Sequence, residues 1–163
     1  RDLLEAMTKQ LANYSLQIVL KRKEFINELN KEISEYYQKL TGSNSIVEIK
    51  YKSDFLDIDN TKDIFEKLMR SVEEDLSRRQ TIMGIHRDDI VLTLDGLPIS
   101  EYGSQAQNRL SVVSLKLSTL KIVKEKIKLY QNPKYSFFIS KNKVLYNSYP
   151  YDICKDLFTS FKV

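Results

Sequence analysis

Cysteine is nearly missing from this chain of 163 residues: Cys154 is the only one, and a single thiol excludes an intrachain disulfide framework. Histidine is as scarce. His86 stands alone, so a Cys/His zinc site cannot be assembled from this sequence. No run approaches the ~18 consecutive apolar residues that span a bilayer, and no membrane partner is expected. The opening Arg1-Asp2-Leu3-Leu4-Glu5 lacks the charged-then-apolar order of a secretory signal, which makes the cytoplasm the expected compartment. Position 1 is not methionine, and the chain is expected to start inside a longer protein. What is present, 42% hydrophobic and 29% charged residues, suits a globular fold and excludes wholesale disorder. The net charge of +4 fits a nucleic-acid partner only weakly, because 22 acidic residues are interleaved with 26 basic ones.

Apolar periodicity supplies the elements. Val19, Arg22, Ile26, Leu29, Ile33, Tyr36 and Leu40 recur at short helical spacings, which predicts one helix over 16–40, roughly 37 Å long. Arg22 interrupts its coiled-coil-like seam, and such a seam needs a partner, in this chain or outside it. Leu4, Met7 and Leu11 predict a turn or two of helix ahead of it, and Thr41-Gly42-Ser43-Asn44 the stop. Val47, Ile49 and Tyr51 alternate with Glu48 and Lys50 as a half-buried strand does. Asn60 is placed to cap a helix whose inner face is Ile64, Leu68, Val72 and Leu76. Two short extended runs, 90–94 and 97–99, flank Asp95-Gly96, the turn pair of a two-residue hairpin. Gly103 precedes a last helix stepping through Leu110, Val113, Leu117 and Leu120. The expected class is α+β, mostly helical.

Three constellations invite a chemical reading. Asp57-Ile58-Asp59 opens like a calcium loop, but Thr61, Lys62 and Leu68 stand where that loop needs Asp or Asn, Gly and Glu. Helix capping and solvation explain these acids better. His86-Arg87-Asp88 matches the start of a protein-kinase catalytic loop. Thr93 replaces the metal-binding Asn, no glycine-rich loop or strand lysine precedes the motif, and Asp95-Gly96 comes too early to be the metal-binding triplet. His86 with Asp88 or Asp89 could still serve a small hydrolase as general base. The plainer alternative is that His86, Arg87, Asp88 and Asp89 hold one another and the strand entry. The third constellation is Gly103-Ser104-Gln105-Ala106-Gln107-Asn108-Arg109, just before an amphipathic helix. A small-residue turn, a helix N-terminus and the Ser104 hydroxyl suit an anion, yet Ser followed by polar residues is also an ordinary N-cap.

Taken in order, Gly84-Ile85-His86-Arg87-Asp88-Asp89, then Tyr102-Gly103-Ser104-Gln105-Ala106-Gln107-Asn108-Arg109, then Leu115-Lys116-Leu117 resemble the second half of RecF. RecF is a bacterial DNA replication and repair family related to ABC-type and SMC ATPases. Gln10-Leu11-Ala12 and Arg22-Lys23-Glu24-Phe25-Ile26 extend the resemblance upstream, so that it covers roughly residues 1–127. It implies a helical arm over 1–42, part of an ABC-type ATPase head over 45–128, and a tail over 129–163 outside the family pattern. It implies that Ser104, Gln105, Ala106 and Gln107, with Arg109 following, are the signature motif, which touches the γ-phosphate of ATP held by the other protomer of an ATP-dependent homodimer. ATP and magnesium are the implied cofactors. Single- and double-stranded DNA and the RecO and RecR proteins are the implied partners, in loading RecA at gaps and damaged forks and in the SOS response to DNA damage. His86, Arg87, Asp88 and Asp89 are, in that setting, a structural or head-positioning motif.

Three departures qualify the match. Ala106 stands where the family has Gly, a cost if that residue needs positive φ or close approach to phosphate. Ile85 replaces a common Pro. After Ile127 the family's apolar strand ending in an Asp pair is replaced by Ser136-Phe137-Phe138-Ile139-Ser140-Lys141-Asn142, and downstream only Asp152 and Asp156 are acidic. The phosphate-cradling Walker A loop is absent as well. The segment 130–163 holds nine of the 10 Tyr and 7 Phe but no Glu or Arg, as a changed reading frame in an A/T-rich gene would produce. It is expected not to form the strand-plus-helix unit that completes an ABC head. A fragment that neither binds nucleotide tightly nor hydrolyses it alone is the expectation. The alternative from another class is a non-enzymatic helical adaptor that pairs through the seam between Val19 and Leu40. Lys21, Arg22, Lys23, Arg78 and Arg79 are candidates for DNA contact, against the usual reading of helix charges as a solvated face.

Overall fold

Residues 2–41 contain neither proline nor glycine, and they form a single helix, α1 (Asp2–Thr41), about 60 Å long by the α-helical rise. The helix expected over 16–40 is therefore the second part of a longer one. Gly42, at φ 69°, ends it and donates its N–H to the Gln38 carbonyl. The structure, a computed structural model, describes residues 2–131, and the expectations for the tail lie outside the described residues. After α1 come β1 (Val47–Lys52), α2 (Thr61–Arg78), a 3-10 turn (Ile85–Arg87), β2 (Asp89–Leu94), β3 (Leu97–Pro98), α3 (Ile99–Tyr102) and α4 (Gln105–Gln131). The class is α+β, mostly helical. The chain divides into Arg1–Leu117 and Ser118–Val163; the described part of the second unit is the end of α4. No helix among the described residues is long and apolar enough to cross a membrane.

The sheet is antiparallel in the order β1-β2-β3, with Val47 opposite Leu94, Lys52 opposite Asp89, and Leu94 opposite Leu97. Asp95 at φ 50° and Gly96 at φ 86° make the two left-handed positions of the hairpin turn. Asn60 caps α2 by accepting the Asp63 N–H at 2.9 Å. The inner face of α2 is Ile64, Leu68 and Ser71 rather than the expected run to Leu76, which is exposed. The inward position of its last turn is Asp75, whose carboxylate accepts the Ile82 N–H at 2.9 Å and closes the turn that follows.

The core forms where α1 meets α2 and β1. Ala12, Val19, Phe55, Ile64 and Leu68 are buried together, with Leu16, Tyr51, Phe65 and Ile85 packed against them. Farther along α1, Phe25, Ile26, Leu29, Ile33 and Tyr37 are buried. Tyr37 takes the place expected for Tyr36, and Leu40 is exposed, because an α-helix drifts from a strict 3.5-residue repeat. The seam thus finds its partners inside the chain, which removes the surface the adaptor alternative needs. Near its start α1 turns Thr8, Ala12 and Ser15 inward and leaves Leu4, Met7 and Leu11 exposed. In α4 the buried residues are Ser111, Ser114, Ser118, Thr119 and Ile122, whereas Val113 and Leu120, two of the expected apolar steps, are exposed.

Strand β1 is an edge of the sheet, yet its backbone is not left open. Asn30 of α1 donates to the Ile49 carbonyl at 3.0 Å and accepts the Ile49 N–H at 2.8 Å. One helical turn on, Ser34 does the same with Val47, at 2.8 and 3.0 Å. Gln38 then donates to the Ser45 carbonyl at 3.2 Å. Side chains on one row of a helix take the place of a neighbouring strand, and the edge is covered.

Candidate functional site

The loop at 103–109 is shaped by what precedes it. Ile99, buried at the start of α3, accepts the Gly103 N–H at 2.8 Å and the Asn108 side-chain amide at 3.2 Å. A Cβ on Gly103 would lie 2.6 Å from the Ile99 carbonyl oxygen and 2.7 Å from its Cγ2. Only glycine fits there. Ser104 then caps α4 reciprocally with Gln107: the Gln107 N–H donates to Ser104 Oγ at 3.2 Å, and the Ser104 N–H donates to Gln107 Oε1 at 2.7 Å. Ala106 lies in the first turn of α4 and is not among the residues with positive φ. Alanine in place of glycine therefore carries no backbone penalty here, and its helix propensity favours the turn.

The first N–H groups of α4, at Gln105 and Ala106, have no acceptor within the helix. Ser104 accepts through its oxygen, which leaves its hydroxyl proton able to donate outward. Ser104, Gln105, Ala106 and Arg109 are exposed, and Gln107 and Asn108 are half-buried. Two amides and a hydroxyl stand at a helix N-terminus, with Arg109 exposed one turn on, which is donor chemistry for an anionic oxygen. No carboxylate stands among residues 103–109, so what the loop presents is donors.

The His86–Asp89 motif behaves otherwise than expected. Its four side chains do not hold one another. His86 Nε2 lies 3.5 Å from the Thr81 carbonyl, and Arg87 donates to the same oxygen at 3.3 Å. Asp89 accepts its neighbour's N–H, that of Ile90, at 2.8 Å. Asp88 is turned inward, its side chain 4% exposed, and its Oδ2 accepts from Arg22 at 2.5 Å and from the Tyr51 hydroxyl. Its Oδ1 is buried with no hydrogen-bond partner among the described residues. Burial, then the Asp88 carboxylate, pushes the Tyr51 hydroxyl well above its ordinary range. No hydrogen bond among the described residues joins His86 to Asp88 or Asp89, so the His–acid arrangement of a hydrolase is not formed.

Between this motif and the loop run β2, β3 and α3, and no ion pair among the described residues joins the two. Of the DNA candidates, Arg22 is spent inside on Asp88, and Arg78 pairs with Glu74 at 2.6 Å. Arg79 ends α2 in the left-handed region, at φ 51°. Lys21 and Lys23 are exposed on α1. Sequence reasoning placed Tyr51 on the inner face of its strand but missed that its hydroxyl and Arg22 both bind Asp88. The available signal was the one charged residue interrupting an apolar seam.

No family model matches the chain. Individual proteins do. DNA replication and repair protein RecF of Agathobacter rectalis is 39% identical over 127 residues, covering 77% of this chain and 34% of that protein. The protein of the same name from Clostridium perfringens is 38% identical over 125 residues, covering 76% and 35%. A solved structure of the recombination mediator protein RecF-ATP in the RecFOR pathway superposes with a TM-score of 0.70 at 28% identity, covering 78% of this chain and 35% of that one. A second, of RecF-ATPrS, has a TM-score of 0.68 at 30% identity, covering 76% and 34%. The chain spans about a third of the length of the relatives it matches.

Proposed function

Because three quarters of this chain belongs with the C-terminal part of the RecF proteins, we propose that it serves DNA replication and repair as the part that presents residues 104–109 to ATP. The observation that carries this reading is the loop itself: Gly103 is pinned to Ile99 while Ser104, Gln105, Ala106 and Arg109 face outward. In the intact protein two protomers bind ATP and magnesium and dimerise, each loop giving its amides and the Ser104 hydroxyl to the γ-phosphate held by the other. ATP supplies the triphosphate that the two surfaces share. Gln107 holds the Ser104 oxygen in place, and Arg109 adds positive charge one turn into the helix. The arm is residues 1–42 and the partial head residues 45–128. DNA, single- or double-stranded, and the RecO and RecR proteins are the partners, and RecA loading at gaps and damaged forks, in the cytoplasm, is the outcome.

The test completes the chain with the N-terminal two thirds of a RecF-type protein and with the Asp-bearing strand that the family places after residue 127, and follows ATP-driven dimerisation by sedimentation. Ser104→Arg is expected to abolish dimerisation while monomer nucleotide binding stays nearly intact. Dimerisation untouched by the substitution would reduce the loop to a helix cap.

A further inference from the structure

The motif at 84–89 takes no part in that chemistry, yet it holds a charge pair unlike its neighbours. Lys9–Glu5, Lys39–Glu35, Lys62–Glu66, Arg70–Glu66 and Arg78–Glu74 are exposed pairs one turn apart on a helix, and such pairs fix little. Arg22 and Asp88 are 66 residues apart, and the acid is buried. The same Arg22 nitrogen donates to the Ile85 carbonyl at 2.7 Å. One side chain of α1 thereby grips both the 3-10 turn and the residue that leads into β2.

Its position matters as much as its burial. Arg22, Ile26, Asn30, Ser34 and Gln38 form one row at intervals of four along α1. Asn30, Ser34 and Gln38 fix the end of α1 nearer Thr41 to β1. Arg22 fixes the helix again, about 12 Å farther along, where β2 begins. From there β2 runs through the hairpin into α3, and Ile99 of α3 holds Gly103 and Asn108. Ala12 and Val19 of α1 also share a core with Tyr51 and Ile85, but apolar contact is non-directional, whereas a hydrogen-bonded charge pair holds one geometry.

We infer that Arg22 and Asp88 are positioning residues that set the angle of α1 to the sheet. The inference needs no nucleotide, and its failure would leave the reading of the loop untouched.

Spin labels at Gln10 on α1 and Ser100 on α3, both exposed, report the angle in the full chain carrying Cys154→Ser. If α1 pivots at Asn30, ~30 Å from residue 10, each 10° of tilt moves the label about 5 Å. The parent is expected to show one narrow distance distribution. Arg22→Met with Asp88→Leu replaces the pair by apolar side chains, a change that folded proteins often tolerate. It should keep the helical signal, at a lower unfolding midpoint because the Tyr51 hydroxyl loses its acceptor, while broadening the distribution by several ångströms, and Arg22→Lys should keep it narrow. Parental width in the folded double variant overturns the inference. Should that variant fail to fold, Arg22→Gln decides: an intermediate width supports the inference and parental width overturns it.

Discussion

Gly103 and Ala106, three residues apart, show opposite reasons for a small side chain. At Gly103 the obstacle is the Ile99 carbonyl, backbone that cannot rotate away. Gly103→Ala is expected to cost about 1–3 kcal/mol in urea unfolding, as overpacking does, and to break the Asn108 bond to Ile99. At Ala106 the backbone does not demand glycine, because the residue is helical and not at positive φ. Tyr51 makes a pH prediction. Its pKa is raised in the folded chain by burial and Asp88, so above about pH 10 the unfolded chain releases a proton that the folded one keeps. The stability this contributes is complete below that pH and is lost as pH rises beyond it. Tyr51→Phe should cost about 1.5–3 kcal/mol at neutral pH, by removing a hydrogen bond to a carboxylate. It should also decline less steeply than the parent from about pH 10 upward, measured by denaturant midpoints.

At the level of elements, the Asn30, Ser34 and Gln38 row makes β1 a protected edge. Asn30→Ala would leave the N–H and carbonyl of Ile49 unpaired at a residue only 3% exposed. The expected cost is about 1–3 kcal/mol per group, read by urea unfolding, with concentration-dependent aggregation from the opened edge. This row was hidden in the sequence because a polar residue on a helix is read as facing water. The helix stop at Gly42, strand β1, the Asn60 cap and the Asp95-Gly96 turn were legible, since each depends on neighbours in the chain. Tyr37 replacing Tyr36, Asp75 replacing Leu76, and the serines of α4 were not. Which of two adjacent residues turns inward depends on the surface opposite, and the pattern along one helix does not contain it.

For the whole molecule, kinship was legible through two short motifs in order, while the partners of Asp88 were not: Arg22 and Tyr51 lie far off in the chain. The loop at 103–109 offers donors, whereas phosphoryl transfer also needs the nucleotide cradled and its metal held. This chain supplies no Walker A sequence for that cradle. It is expected to release phosphate from ATP no faster than a protein-free control, and clean preparations with clear steady-state turnover would refute this.

The pairing of α1 with β1 works like a vernier. Four residues of helix advance about 6.0 Å, while two residues of antiparallel strand advance about 6.8 Å. Each rung therefore slips by nearly 1 Å, and side-chain reach must absorb the difference. Asn30 and Ser34 bond at 2.8–3.0 Å, and the third rung, Gln38, stretches to 3.2 Å. It is also the longest of the three side chains. A fourth rung would fall at Gly42, which has no side chain to offer and where the helix has already ended. Mismatched rulers of this kind can be read together over only a short length, so the chain sets its own limit on how far a helix can stand in for a strand.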